Sequence, residues 1–331
     1  MKKIFITGAE GFIGSHLVEK LVKENFKVTA MMRYNFNNNI GWLNDLDKRT
    51  LRKVKIVKGD ITDYAFIEDA TKNADAILNL AALIGIPYSY KAVKSYIDTN
   101  VIGTYNILKA SQKNKIKKII HTSTSEVYGG MNKKKINEKF INYAQSPYAA
   151  SKIAADQLCI SFFCSYNSPV VILRPFNTFG PRQSDRAIIP TVINQLIKRK
   201  NLSLGNINTF RDINYVEDTA NAYIKILKSN KNIYGEIFNV GSGFNFSIKK
   251  IVEILIKISG KKVKIKVEKA RLRPKNSEVS YLLADNKKIK KIIGWKPKYD
   301  NYKKITKALE STYKWFKKNQ NKYNQERKFV E

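Results

Sequence analysis

Residues 3–14 read KIFITGAEGFIG, an apolar run that meets three glycines and continues as Phe12–Val22 with helical spacing of its apolar residues. Strand, tight turn and helix in that order are what a dinucleotide-binding turn requires. Glycine lets the backbone turn sharply and approach a pyrophosphate, whose charge then rests on the helix N-terminus. Gly8, Gly11 and Gly14 are spaced G-x-x-G-x-x-G rather than G-x-G-x-x-G, so the strand–helix setting carries the reading. It makes Gly8, Gly11, Phe12, Ile13 and Gly14 candidate cofactor contacts.

Further apolar runs follow at 27–32 (KVTAMM), 54–58 (VKIVK), 76–80 (AILNL), 118–122 (KIIHT) and 170–173 (VVIL). Helical stretches at 64–72, 95–113 and 146–166 lie between the later ones. Strands alternating with helices predict a parallel, doubly wound α/β sheet of the Rossmann type. After about residue 175 the pattern loosens at Pro175, Gly180-Pro181 and Pro190. Residues 1–175 are therefore expected to form the dinucleotide-binding domain and 176–318 a smaller substrate-binding lobe that shares the first sheet. The polar tail 319–331 is expected to fray.

Composition narrows the class. Apolar residues make up 43% of the 331, an ordinary globular balance. No stretch is apolar enough to span a bilayer, and the first residues lack the apolar core of a signal peptide, so a cytoplasmic protein is expected. Cys159 and Cys164 sit on one helical run facing different ways and read as reduced thiols. With only His16 and His121, an H-E-x-x-H zinc site is excluded, and no metal is expected. The net charge of +34 is spread over lysines along the whole chain. Without an aromatic RNA-binding signature or zinc knuckle it reads as solvated surface, not a nucleic-acid interface.

The end of the second strand bears on cofactor choice. An acid there would hydrogen-bond the adenosine 2′-hydroxyl of NAD. The sequence instead has Met31-Met32-Arg33-Tyr34-Asn35, and Arg33 suits a 2′-phosphate, so the expectation is NAD or NADP with a lean to NADP. Asp60-Ile61, after the third strand, is placed to meet the adenine.

Tyr148-Ala149-Ala150-Ser151-Lys152 puts a phenol and an ammonium four residues apart, on one helix face. A nearby cation lowers a phenol's pKa, which makes Tyr148 a candidate base. The run HTSTSEVYGG (121–130) ends the fifth strand and adds Thr124, Ser125 and Glu126 where open α/β sheets bind ligands.

Five segments in order, TGAEGFIG, the Ala81-Ala82-Leu83 after strand four, STSEVYG, SPYAASK and RPFNTFGPR, resemble the extended short-chain dehydrogenase/reductase family, the NAD-dependent epimerases and dehydratases of nucleotide-linked sugars. The resemblance runs from residue 3 to about 316. It implies a tightly bound, recycled cofactor, with Leu80, Ala81, Ala82, Thr122 and Pro175 joining the cofactor contacts. It also implies a homodimer through helices 95–113 and 148–166. By the same resemblance Tyr148 takes the sugar 4-hydroxyl proton as C4 yields hydride, Thr124 orients that hydroxyl, and Lys152 holds the cofactor ribose.

A 4-epimerase needs only that trio, whereas a 4,6-dehydratase also needs a base for C5 and a proton for the water leaving C6. Glu126 suits the C5 proton. Ser125 stands where glucose-type dehydratases usually keep an aspartate, which leaves the proton donor open. Arg33-Tyr34-Asn35, Gly41-Trp42-Leu43, 83–90 and Arg271–Pro274 most resemble the LegB-like N-acetylglucosamine 4,6-dehydratases. A UDP-sugar 4-epimerase and a UDP-glucuronate decarboxylase are the alternatives. For the substrate, the resemblance points to Asn177, Arg182, Arg211 and Arg273, with Glu278 facing the nucleotide ribose. Arginines suit a pyrophosphate. Whether the base is uracil or guanine is left open, and Asp218 is read as structural.

Overall fold

The computed structural model describes residues 1–130, 135–199 and 201–323. Its strands are β1 (Lys3–Thr7), β2 (Lys27–Arg33), β3 (Val54–Gly59), β4 (Ala76–Asn79), β5 (Lys118–Thr122), β6 (Val170–Pro175), β7 (Asn177–Phe179), β8 (Asn201–Leu204), β9 (Phe210–Tyr215), β10 (Ile237–Val240), β11 (Asn245–Ser247), β12 (Lys264–Val267) and β13 (Tyr281–Leu282). Seven of them form one sheet in the order β10-β6-β5-β4-β1-β2-β3, every neighbouring pair parallel. This is the doubly wound Rossmann-type sheet the alternating pattern predicts.

Its central strands β1, β4, β5 and β6 are buried on both faces, as parallel strands between helical layers must be, while the edge strand β3 is only half-buried. Successive side chains alternate between two cores. Ile4, Ile6, Leu78 and Val171 pack on one side against the helices Phe12–Lys23 and Val216–Lys228. Phe5, Ile77, Ile119 and Ile172 pack on the other against Tyr64–Thr71, Gly103–Lys113 and Pro147–Tyr166. The chain order reverses between β1 and β4, so a crevice opens beyond their C-terminal ends.

The later elements build a third core. Helices Ile188–Lys198, Ile248–Ser259 and Tyr302–Lys318 pack with β8, β9 and β11, and Phe12, Ile13 and Trp42 of the first part pack against the same cluster. β10 meanwhile joins the large sheet beside β6. The two parts of the chain thus share both a sheet and a core.

Two local features depart from the sequence reading. The helix expected at 95–113 begins at Val93 and carries a π turn over Ile97–Ile102. Inside that turn the buried Asn100 accepts from Leu83 N at 2.9 Å and donates to Leu83 O at 3.0 Å and Ser151 Oγ at 2.9 Å. The expectation of a frayed tail is corrected for residues 319–323. Tyr323 is buried against Phe316 and Trp42, with ring centroids 4.8 and 5.5 Å apart, and Lys322 pairs with Asp45 at 2.5 Å. Apolar ring area holds what a polar composition suggested would be loose. The rest of the expected tail, 324–331, lies outside the described residues.

Candidate active site

The glycine turn is built by close approach. Gly8 has φ +64°, and a Cβ there would lie 3.0 Å from the Ala81 backbone. A Cβ on Gly14 would lie 2.1 Å from Gly8 O, so the helix start rests directly on the turn. Thr7 pins the opposite wall: its hydroxyl accepts from Leu80 N and Ala81 N, both at 3.0 Å, and donates to Asn79 at 2.8 Å. Gly8, Gly11, Phe12, Ile13, Gly14, Leu80, Ala81, Ala82, Arg33, Asp60, Ile61, Thr122 and Pro175 all border one cavity of about 800 Å³. Its bare backbone cradle at a helix N-terminus fits a dinucleotide pyrophosphate.

The cavity continues past the β5 end to Thr124, Ser125, Glu126, Tyr148 and Lys152. Thr124 caps the short 3-10 turn Ser125–Tyr128, accepting from Glu126 N at 3.2 Å. That turn aims Glu126 into the cavity. Ser146 caps the helix Pro147–Tyr166 through Ala149 N at 3.1 Å, with Pro147 at its first position, and so fixes Tyr148 and Lys152. Lys152 donates to Thr122 O at 2.7 Å. Behind it, Asp156 accepts from Ser123 at 2.8 Å and from Arg174 at 2.9 and 3.0 Å, fully buried.

The expected lowering of the Tyr148 phenol by Lys152 is corrected. Burial pushes that phenol well up; a hydrogen bond with Thr124 opposes the rise, and the Glu126 charge adds to it. Burial also pulls the Lys152 ammonium down, against Asp156, which holds it up. Lys152 directs one hydrogen bond to the Thr122 carbonyl, and burial is the largest influence on the phenol.

Of the residues expected to meet the substrate, Asn177, Arg211, Arg273 and Glu278 border the cavity. Arg211 faces Glu278 at 3.6 Å, and Arg273 faces Glu126 at 3.8 Å. Arg182 does not belong with them. Its guanidinium turns away to Glu19 on the first helix, at 3.1 Å, beside His16, whose ring bonds Pro181 O at 3.0 Å. With φ +67° its backbone is left-handed, which redirects a side chain that the G-P-R motif seemed to aim at the phosphates. Arg186 and Arg271 border the cavity instead. Arg271 was within reach of the sequence, two residues before Arg273; Arg186 carries no motif of its own. Asp218 is structural as read, accepting from Lys298 N and Tyr299 N, both at 2.9 Å.

Arg33 also sits otherwise than expected. Its amide donates to Glu10 at 3.1 Å and its guanidinium approaches Asp60 at 3.9 Å, so two carboxylates flank the place reserved for a 2′-phosphate. Among the described residues no group of three or more His, Cys, Asp or Glu could hold a metal ion, and no helix is long and apolar enough to cross a membrane. Cys159 and Cys164 are free thiols.

A glycine-cradled crevice leading to a buried Tyr–Lys pair with a threonine beside it is the layout of a dinucleotide-dependent enzyme. The chain belongs to the extended short-chain dehydrogenase/reductase family of NAD-dependent epimerases and dehydratases: the family model described as GDP-mannose 4,6 dehydratase matches residues 5–308. Human dTDP-D-glucose 4,6-dehydratase is 29% identical over 330 residues, covering 96% of this chain and 91% of the human protein. The UDP-glucuronic acid 4-epimerase of Bacillus cereus, solved with UDP-glucuronic acid and NAD, is similar with a TM-score of 0.86 and 28% identity, covering 96% of this chain and 99% of that one. A dTDP-glucose 4,6-dehydratase of Bacillus anthracis, solved with NAD, has a TM-score of 0.85 at 27% identity, covering 97% and 98%. The two solved neighbours hold NAD and lend no support to the lean to NADP.

Proposed function

We propose that the protein is a nucleotide-sugar 4,6-dehydratase, a lyase converting UDP- or GDP-linked N-acetylglucosamine, or a related hexose, to the 4-keto-6-deoxy sugar. The observation that carries this reading is Glu126, a carboxylate bordering the cavity two residues from Thr124. When bound, the nicotinamide supplies the acceptor and later the donor of a hydride. Gly8–Gly14 and Leu80–Ala82 would hold its dinucleotide, with Lys152 on the nicotinamide ribose. Tyr148 takes the proton of the sugar 4-hydroxyl, and Thr124 orients that hydroxyl. The ketone at C4 acidifies C5–H; Glu126 removes that proton and returns it to the hydroxyl leaving C6 as water, since Ser125 is too weak an acid. The hydride taken from C4 then returns to C6 while C5 takes up a proton, matching the one the 4-hydroxyl gave up. Arg211 and Arg273 would face the nucleotide phosphates, and Glu278 and Asn177 the nucleotide ribose and the sugar.

A 4-epimerase is the second reading, favoured by the near-equal likeness to the epimerase and dehydratase structures. A UDP-glucuronate decarboxylase has no comparable observation behind it. The working form is proposed to be a cytoplasmic homodimer. Val93, Ile97 and Tyr166 leave apolar surface exposed on the two helices that would pair.

Incubation with UDP- and GDP-N-acetylglucosamine, followed by mass spectrometry and NMR, tests the reading. A 4-keto product lacking the C6 hydroxyl is expected. A galacto product of unchanged mass would replace it with the epimerase, and release of CO₂ from UDP-glucuronate with the decarboxylase.

A further inference from the structure

The second strand ends without an acid, yet an acid stands at that place. Glu10, inside the glycine turn, reaches the C-terminal end of β2, where its Oε1 accepts the Arg33 amide at 3.1 Å. Its position is clamped from the far side. Trp42 N donates to Glu10 O at 3.0 Å, and Gly41, at φ +57°, packs so closely that a Cβ there would lie 2.9 Å from the Glu10 Cβ. The second oxygen, Oε2, is shut off from solvent and has no hydrogen-bond donor. Glu10 borders the cavity together with Met32, Arg33 and Asp60. The neighbouring Arg33 has a side chain 76% exposed and leans toward Asp60.

With the pyrophosphate on the glycines, the adenosine ribose comes to lie beyond the end of the second strand. We propose that Glu10 selects NAD over NADP, its carboxylate accepting a hydrogen bond from the 2′-hydroxyl of the adenosine ribose. The acid that a dinucleotide site ordinarily takes from the strand end is delivered here from the turn. Oε1 accepts one bond, from the Arg33 amide, and a carboxylate oxygen has room for a second, which a ribose hydroxyl would fill. A 2′-phosphate would instead bring a dianion against Glu10 and Asp60, and the nearby Arg33 guanidinium is exposed and already faces Asp60. The inference rests on the reading of this cavity as the dinucleotide site.

Calorimetric titration of cofactor-stripped protein tests it with three probes: NAD, NADP, and an NAD analogue lacking the 2′-hydroxyl of the adenosine ribose. Wild-type protein is expected to bind NAD about tenfold tighter than the deoxy analogue, the weight of one hydrogen bond to a charged acceptor. It is expected to bind NADP more weakly still. Glu10→Ala should lose that tenfold on NAD, lose nothing further on the deoxy analogue, and narrow the gap to NADP. Glu10→Gln, of the same shape, should narrow the gap to NADP as well. Equal binding of NAD and the deoxy analogue by wild-type protein overturns the proposal without recourse to any variant. So does an unchanged NAD-to-NADP ratio in a folded Glu10→Ala. If wild-type protein binds none of the three, the cavity reading itself falls, and the role of Glu10 with it.

Discussion

Arg273 holds its Nη1 3.8 Å from Oε2 of Glu126, too far for a hydrogen bond and close enough for charge to matter. The cation comes from the loop between β12 and β13, and the carboxylate from the turn that follows β5. A residue assigned to the substrate's phosphates therefore faces the residue assigned to its C5 proton. Arg211 and Glu278 form a second such pair at 3.6 Å, and Arg211 lies within electrostatic reach of Glu126 and Arg273. Anionic substrate entering here competes with both carboxylates for the same guanidinium groups.

Glu126→Gln is expected to lower dehydration by at least about a hundredfold, the lower range of general-base contributions. Oxidation at C4 should survive and register as reduced cofactor by its near-ultraviolet absorbance. Full dehydratase activity in this variant would remove Glu126 from the mechanism.

The two arginines should separate cleanly. Arg273→Ala is expected to raise the KM for the nucleotide sugar about tenfold, the weight of one charge-assisted contact. Arg182→Ala should leave KM within about twofold. It should instead lower stability by about 1–3 kcal/mol, because Arg182 holds Glu19 from a largely buried site. A large KM effect at Arg182 would restore it to the substrate.

Tyr148→Phe is expected to lose turnover by about two to four orders of magnitude. Because the phenol is held up by burial and by Glu126, Glu126→Gln should move the alkaline-side titration of Tyr148 downward. The pH dependence of single-turnover cofactor reduction reads this. No displacement, or one in the opposite direction, would uncouple the two groups.

His16 gives a pH dependence of stability. Burial and the neighbouring Arg182 pull its pKa down to about 4 from an ordinary 6.5. Between those values the unfolded chain binds the extra proton and the folded chain refuses it, so stability falls as the pH drops through that window. The loss approaches about 3 kcal/mol at its acid end, at roughly 1.4 kcal/mol per pH unit. Thermal melts of wild type and His16→Gln should converge on acidification. Parallel curves would count against the assignment.

Much of this architecture was legible because it is periodic. Apolar runs buried on both faces leave a signal that survives any choice among Ile, Val and Leu, and the glycines and the Tyr148–Lys152 spacing are fixed by backbone geometry. What escaped is what depends on direction. Arg182 lies in the motif expected to meet phosphate, and one left-handed φ sends it to Glu19 instead. Arg33 fitted a phosphate by charge alone, yet Glu10 and Asp60 reach it from turns distant in sequence. The polar tail hid Tyr323, one aromatic whose partner Trp42 lies far up the chain.

The π turn at Ile97–Ile102 bears on how this site tolerates change. Asn100 bonds both Leu83, on the loop beside the glycine turn, and Ser151, next to Lys152 on the helix that carries Tyr148. A π turn holds one residue more than the α-helical turn it interrupts. The alignment of those two walls therefore depends on counting as well as on chemistry: removing a single residue ahead of Asn100 would rotate it off both of its anchors at once.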